Sequence, residues 1–154
     1  MNKLKVGLID PVGGHGGMDY YDYGLGLGLK SNDVLVSFTT SKETKNILPN
    51  NFYDINYFFG KIWDYKGFMR LYFFIKGYIY SFLHFKKLKI EIIQFQFFHL
   101  KIYNLIILFI AKLFGFKICV TMHDVNSLFG IKTSKLFSDI AFKLMDKVIV
   151  HNEF

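Results

Sequence analysis

Apolar residues occur along this chain in short runs separated by longer, more mixed ones. KVGLID at 5–10, DVLVSFTT at 33–40, EIIQFQFF at 91–98, KICVTM at 117–122 and KVIV at 147–150 are short and rich in β-branched or aromatic residues. Each reads as a strand, and Asp54–Phe59 as a weaker one. Between them the spacing lengthens. Tyr21, Leu25 and Leu29 recur every fourth residue and predict a helix over Met18–Lys30. Tyr65–Lys87 is a long aromatic helix, and Ile102–Phe114 reads as a buried one. Thr133–Met145 is a helix opened by a Thr or Ser cap and closed by basic residues. Ser41–Asn51 is polar and predicts a short helix or turn. Strands and helices thus alternate, and the strands are apolar on both faces. That pattern predicts a parallel sheet covered by helices, an α/β domain of the Rossmann-like, doubly wound type. One stretch resists the pattern. GLGLGL at 24–29 lies inside the first helix, where each glycine costs roughly 1 kcal/mol against alanine. Either the helix packs closely there or it ends near Tyr23.

Length and composition narrow the picture without choosing a function. The 154 residues suffice for one domain over 1–154, with no internal repeat, linker or low-complexity tract. Hydrophobic residues make up 52% of the chain, too many for a disordered segment. Cys119 is alone, which excludes a disulfide framework within the chain and fits a reducing, cytoplasmic compartment. The start MNKLKVGLIDP lacks the apolar run and small-residue cleavage site of a secretory leader. The formal charge of +7 favours anionic partners: nucleotide phosphates, anionic lipid or nucleic acid. No recognisable RNA-binding motif supports the last of these.

In open parallel sheets, ligands bind beyond the carboxyl ends of the strands. Four of the five histidines stand at such exits. His15 lies within Gly13-Gly14-His15-Gly16-Gly17, His99 follows EIIQFQFF, His123 and Asp124 follow KICVTM, and His151 follows KVIV. The glycine loop lets a ligand approach the backbone, and its N–H groups with the following helix start suit a phosphate. It is not the dinucleotide fingerprint. Counting from Gly14 and Gly16, the third glycine position holds Asp19, and the second strand runs into SFTTSK without an acid for a ribose. It is not a Walker loop either, since no Gly-Lys-Ser/Thr follows. His123 could orient a substrate hydroxyl or phosphate, with the adjacent carboxylate fixing its tautomer. The histidines lack helical spacing or paired cysteines, so no metal is expected.

In order along the chain, these pieces resemble the amino-terminal half of GT-B glycosyltransferases, of the retaining, glycosyltransferase family 4-like kind. The resemblance rests on the glycine loop after the first strand, on Val120-Thr121-Met122-His123-Asp124, and on Val148-Ile149-Val150-His151-Asn152-Glu153. It implies an acceptor-side Rossmann-like domain of a hexosyltransferase that moves a sugar from a nucleotide-sugar to a glycan or lipid-linked acceptor in cell-surface polysaccharide synthesis. It implies no cofactor beyond that donor. Gly13, Gly14, His15, Gly16 and Gly17 would lie near donor phosphates and acceptor. His123 would face the donor sugar, and His99, Asp124 and Asn126 would shape the substrate site. Where the family often has a histidine in the fourth strand, this chain has Gln94 and Gln96. The family's second, donor-binding domain does not occur within these residues. The expectation is therefore an inactive half that needs that domain in cis or trans. The alternative is a non-catalytic, membrane-docked partner subunit of a split glycosyltransferase. The stretch from Trp63 to Lys89 mixes aromatics with Arg70, Lys76, Lys86, Lys87 and Lys89. Such a face suits a peripheral position on an anionic membrane surface, here the inner face of the membrane; equally, its aromatics could pack on the sheet beneath snorkelling lysines.

Overall fold

A computed structural model describes residues 3–14, 17–45, 54–98, 100–123 and 135–150. Among them are six strands: β1 (Lys5–Asp10), β2 (Leu35–Thr40), β3 (Asp54–Asn56), β4 (Ile92–Phe97), β5 (Lys117–Met122) and β6 (Lys147–Val150). Four α-helices alternate with them: α1 (Met18–Ser31), α2 (Gly67–Lys87), α3 (Ile102–Leu113) and α4 (Lys135–Leu144). All six strands belong to one parallel sheet, in the order β3-β2-β1-β4-β5-β6. This is the expected Rossmann-like α/β architecture.

The chain forms two compact units, residues 1–91 and 92–154. In the first, β1 pairs with β2 from Lys5↔Leu35 to Asp10↔Thr40, and β2 pairs with β3. In the second, β4 pairs with β5 from Ile92↔Lys117 to Phe97↔Met122, and β5 pairs with β6. Successive residues of β1, β2 and β4 are buried, so both faces of these strands are covered, as a parallel sheet requires. Leu8, Phe38 and Phe85 lie at the heart of the first core, and Phe95, Leu108 and Val120 at that of the second.

Three helices hand over to the next strand by one device. After α1, α2 and α3 a residue takes the left-handed conformation: Asp33, Lys89 and Gly115. The N–H that follows reaches back to the last turn, Val34 to Leu29, Ile90 to Phe85 and Phe116 to Ala111, at 3.1, 2.9 and 3.2 Å. This is the Schellman closure, which satisfies orphan carbonyls and turns the chain into the sheet. At the other end of α3, Asn104 Oδ1 accepts the Lys101 N–H at 2.8 Å. The expected Thr or Ser cap of α4 lies outside the described residues.

Two expectations are corrected. α1 does not end near Tyr23 but runs through GLGLGL to Ser31, and a side chain at Gly24 or Gly28 would meet only open space. Close packing therefore does not account for those two glycines. α3 is not a buried helix. Ile102, Ile106, Phe109 and Leu113 are exposed at spacings of four, three and four, while Ile107, Leu108 and Ala111 face the core. An apolar composition all round predicts burial; here only one side has a sheet to cover it.

Candidate functional site

Beyond β1, the chain leaves the sheet at Asp10 and turns through the glycine loop. Asp10 is buried, and its carboxylate accepts N–H groups from Val12 at 3.0 Å and Gly13 at 3.1 Å. In the first turn of α1, buried Asp19 accepts the Gly14 N–H at 2.8 Å and, from beyond β2, the Lys45 N–H at 3.2 Å. Asp22, buried one turn later, is the neighbouring carboxyl that helps to lower the Asp10 pKa. Burial pushes the Asp10 carboxyl above its ordinary range. Hydrogen bonds from Val12 and Gly13 and the Asp22 side chain oppose that shift, and the nearby Asp19 charge adds to it.

The glycines serve this clamp. Gly13 and Gly14 have φ of +59° and +56°. A Cβ at Gly13 would stand 2.6 Å from Ser41 Oγ and drive into Thr44 Oγ1, and one at Gly14 would drive into the Glu43 carbonyl. The loop is thus packed against the turn that follows β2, with Ser41 Oγ donating to the Val12 carbonyl at 2.6 Å. Gly17, at the start of α1, has open space where a Cβ would be. Of the loop N–H groups expected to suit a phosphate, those of Gly13 and Gly14 are directed to aspartates, as is that of Val12 before them. The open end of the loop is at Gly17.

At the exit of β5 the chemistry differs. The His123 N–H donates to the Phe97 carbonyl at 3.0 Å, extending the β4–β5 ladder by one step. Its ring lies against Phe98, with centroids 5.0 Å apart and planes 27° from parallel. Its Nε2 meets Gln96 Oε1 at 2.9 Å. One step earlier, Gln94 Nε2 donates to Thr121 Oγ1 at 2.8 Å. Gln94, Gln96 and Thr121 are all buried. The Gln96 Nε2 has no hydrogen-bond partner among the described residues. A buried donor left unpaired costs about 1–3 kcal/mol. The carboxylate expected to steady His123 was Asp124, which lies outside the described residues; within them Gln96 holds its Nε2. Sequence reasoning noted Gln96 only as a departure from a family pattern. Its signal was the alternation Gln94-Phe95-Gln96-Phe97, which places two amides on one face of an otherwise apolar strand.

Of the remaining candidates, His15, Gly16, His99 and Asn126 lie outside the described residues. The loop glycines belong to the amino-terminal unit and His123 to the carboxyl-terminal one. Among the described residues no group of three or more His, Cys, Asp or Glu side chains is arranged to hold a metal ion. His84 is engaged in structure. Its Nε2 meets Asp54 Oδ2 at 2.8 Å, and Ser37 Oγ donates to the same oxygen at 2.6 Å. Burial pulls the Asp54 pKa upward, but the Ser37 and His84 hydrogen bonds outweigh it and hold the group below its ordinary value. Cys119 is free and half-buried, and burial pushes its thiol up, away from reactivity.

No family model and no curated protein matches this sequence. Among solved structures, Acinetobacter baumannii MurG, a GT-B glycosyltransferase, superposes with a TM-score of 0.62 at 12% identity. The match covers 99% of this chain and 42% of MurG. The likeness is one of fold. The chain spans about two fifths of the length of the MurG chain it matches. A homoserine dehydrogenase from S. aureus superposes more loosely, with a TM-score of 0.47 at 13% identity, over 97% of this chain and 33% of that one.

Proposed function

We propose that this chain is the acceptor-side domain of a GT-B glycosyltransferase that moves a sugar from a nucleotide-sugar to a glycan or lipid-linked acceptor in cell-surface polysaccharide synthesis. The observation that carries the proposal is the superposition on MurG, which extends over nearly the whole of this chain. His123 supports it locally: an imidazole at a strand's carboxyl end, seated on an aromatic ring and held by a buried amide. In the proposed reaction His123 meets the sugar. Donor contacts come from a second domain, in cis or trans, so the chain alone turns over no sugar. The test is binding followed residue by residue. Titrating the isotope-labelled chain with nucleotide-sugars and with oligosaccharide or polyprenyl-phosphate acceptors is expected to move the signals of His123 and of Phe98 beside it, and His123→Ala to abolish the Phe98 response. Signals at both positions that stay fixed through the whole panel would overturn the reading, and steady sugar transfer by the chain alone would overturn the dependence on a second domain.

A specific observation favours a membrane-facing role for the same domain. α2 carries Arg70, Lys76, Lys86 and Lys87 and not one acidic residue. Phe68, Tyr72, Ile75 and Leu83 are exposed on it, Phe68 at 79%. Lys76 Nζ lies 5.4 Å from the Tyr80 ring centre, and Arg70 stands 5.3 Å over Trp63, the arrangement of an interfacial helix with cations beside aromatics. No helix among the described residues is long and apolar enough to cross a membrane. The proposed mode is therefore peripheral contact with anionic lipid at the cytoplasmic face. Flotation with phosphatidylglycerol vesicles at low salt is expected to carry the chain, and Phe68→Glu with Ile75→Glu to release it. Equal recovery with neutral phosphatidylcholine vesicles would remove the electrostatic part of the argument.

A further inference from the structure

Parallel register places Gln94 beside Cys119 and Gln96 beside Thr121, with both glutamines on one face of β4. The two amides are used differently. Gln94 spends its donor on the Thr121 hydroxyl. Gln96 spends its acceptor on His123, and its buried nitrogen has no partner among the described residues. Between Phe95 and Phe97, both buried, a leucine at 96 would serve the fold with no unpaired group. An amide kept where an apolar side chain would pack as well points to the hydrogen bond it makes among the described residues, to His123.

We propose that Gln96 is a positioning residue for His123: its carbonyl accepts the Nε2–H, fixes the neutral ring as the Nε2–H tautomer, and holds the imidazole against Phe98. In that tautomer the lone pair lies on Nδ1. The functional meaning rests on His123 being a site residue, whereas the tautomer is a property of the pair alone. Turning the Gln96 amide through half a turn would put its N–H₂ on the ring and demand the opposite tautomer, so the two arrangements differ in which ring nitrogen carries the proton.

The experiment is long-range proton–nitrogen correlation of the imidazole in the labelled 154-residue chain, at pH values above and through the titration of His123. The expected result in the native chain is a single tautomer with the proton on Nε2. Gln96→Leu is expected to let a visible minority of the Nδ1–H form appear while leaving the melting temperature unchanged or higher. Gln96→Glu places a carboxylate on Nε2 and is expected to tighten proton binding by His123 about tenfold. A native chain with the proton on Nδ1 overturns the proposal, whatever the variants do. So does a tautomer and titration identical in all three proteins. Should the Leu variant unfold, the native tautomer and the Glu variant still decide. A chain that shows the Nε2–H tautomer and the Glu-variant shift, yet binds no sugar substrate, keeps the positioning pair and loses the glycosyltransferase reading.

Discussion

In the loop after β1, the backbone donors at Val12, Gly13 and Gly14 each find an aspartate oxygen within 3.1 Å. At the exit of β5, the Gln96 amide nitrogen, equally buried, has no partner among the described residues. The first region is conspicuous in the sequence and, at Val12–Gly14, closed in the structure; the second is inconspicuous in the sequence and left polar at some cost. Glycine-rich loops invite a ligand reading because glycine lets a ligand approach. Here the approaching groups at Gly13 and Gly14 belong to the protein, namely the turn Ser41–Thr44. An unsatisfied buried donor is the less common event, and folded proteins tend to tolerate such events where function needs them.

The comparison breaks first, and by the largest effect, at the glycines. Gly13→Ala forces a side chain into the Ser41 and Thr44 hydroxyls at a φ of +59°. The expected loss is about 2–4 kcal/mol, combining left-handed strain with a clash that the buried turn resists. Gly17→Ala carries the strain without the clash and should cost about 1 kcal/mol. Urea unfolding of the two variants separates them. Equal losses would mean that the loop is not clamped by the turn.

Next come the carboxylates. Asp19→Ala strips the acceptor from the Gly14 and Lys45 N–H groups at once, with an expected cost of about 2 kcal/mol. Asp10 and Asp54 should give opposite pH signatures. Asp10 has a raised pKa, so the native state holds its proton longer than the unfolded chain does. Its contribution is therefore full below the ordinary carboxylate range and is lost as pH rises through the folded value. Asp54 has a lowered pKa, so its contribution is present above the ordinary range and lost as pH falls through the folded value. Unfolding free energy followed from pH 3 to 8 should lose its neutral-side decline in Asp10→Asn and part of its acid-side decline in Asp54→Asn. A native curve without any decline above the carboxylate range would contradict the raised Asp10 pKa.

Much of the fold was legible because the pattern that predicts it is local. The apolar runs at 5–10, 35–40, 92–97 and 117–122 are strands, and the helices lie between them. What was not legible depends on where local pieces meet. Nothing near Gly13 in sequence announces that Ser41 and Thr44 will occupy the space beside it. Asp10, Asp19 and Asp22 read as a strand end and a polar helix start; their burial follows from tertiary packing. α3 shows the converse. Its apolar residues run all round the helix, and only the fold decides that Ile106 and Phe109 remain exposed. His123 was found because a polar residue ending a buried strand is visible in the sequence. Its partner was passed over because a glutamine inside a strand carries no motif.

The smallest expected effect sharpens the comparison most. Gln94 and Gln96 sit two residues apart on the same strand face, both buried to the same degree. Gln94→Leu leaves the Thr121 hydroxyl, fully buried, without that donor, and should cost about 1–2 kcal/mol. Gln96→Leu removes an orphaned amide nitrogen along with the His123 contact. His123 is only half-buried and can turn toward water, so the net change should be near zero or slightly stabilising. Thermal unfolding of the two variants side by side measures that difference. If both lose the same amount, the two amides are equivalent parts of one structural ladder and Gln96 has no special claim. If only Gln94→Leu loses stability, the fold does not need the second amide, and its remaining contact with His123 is the reason left for its place in the strand.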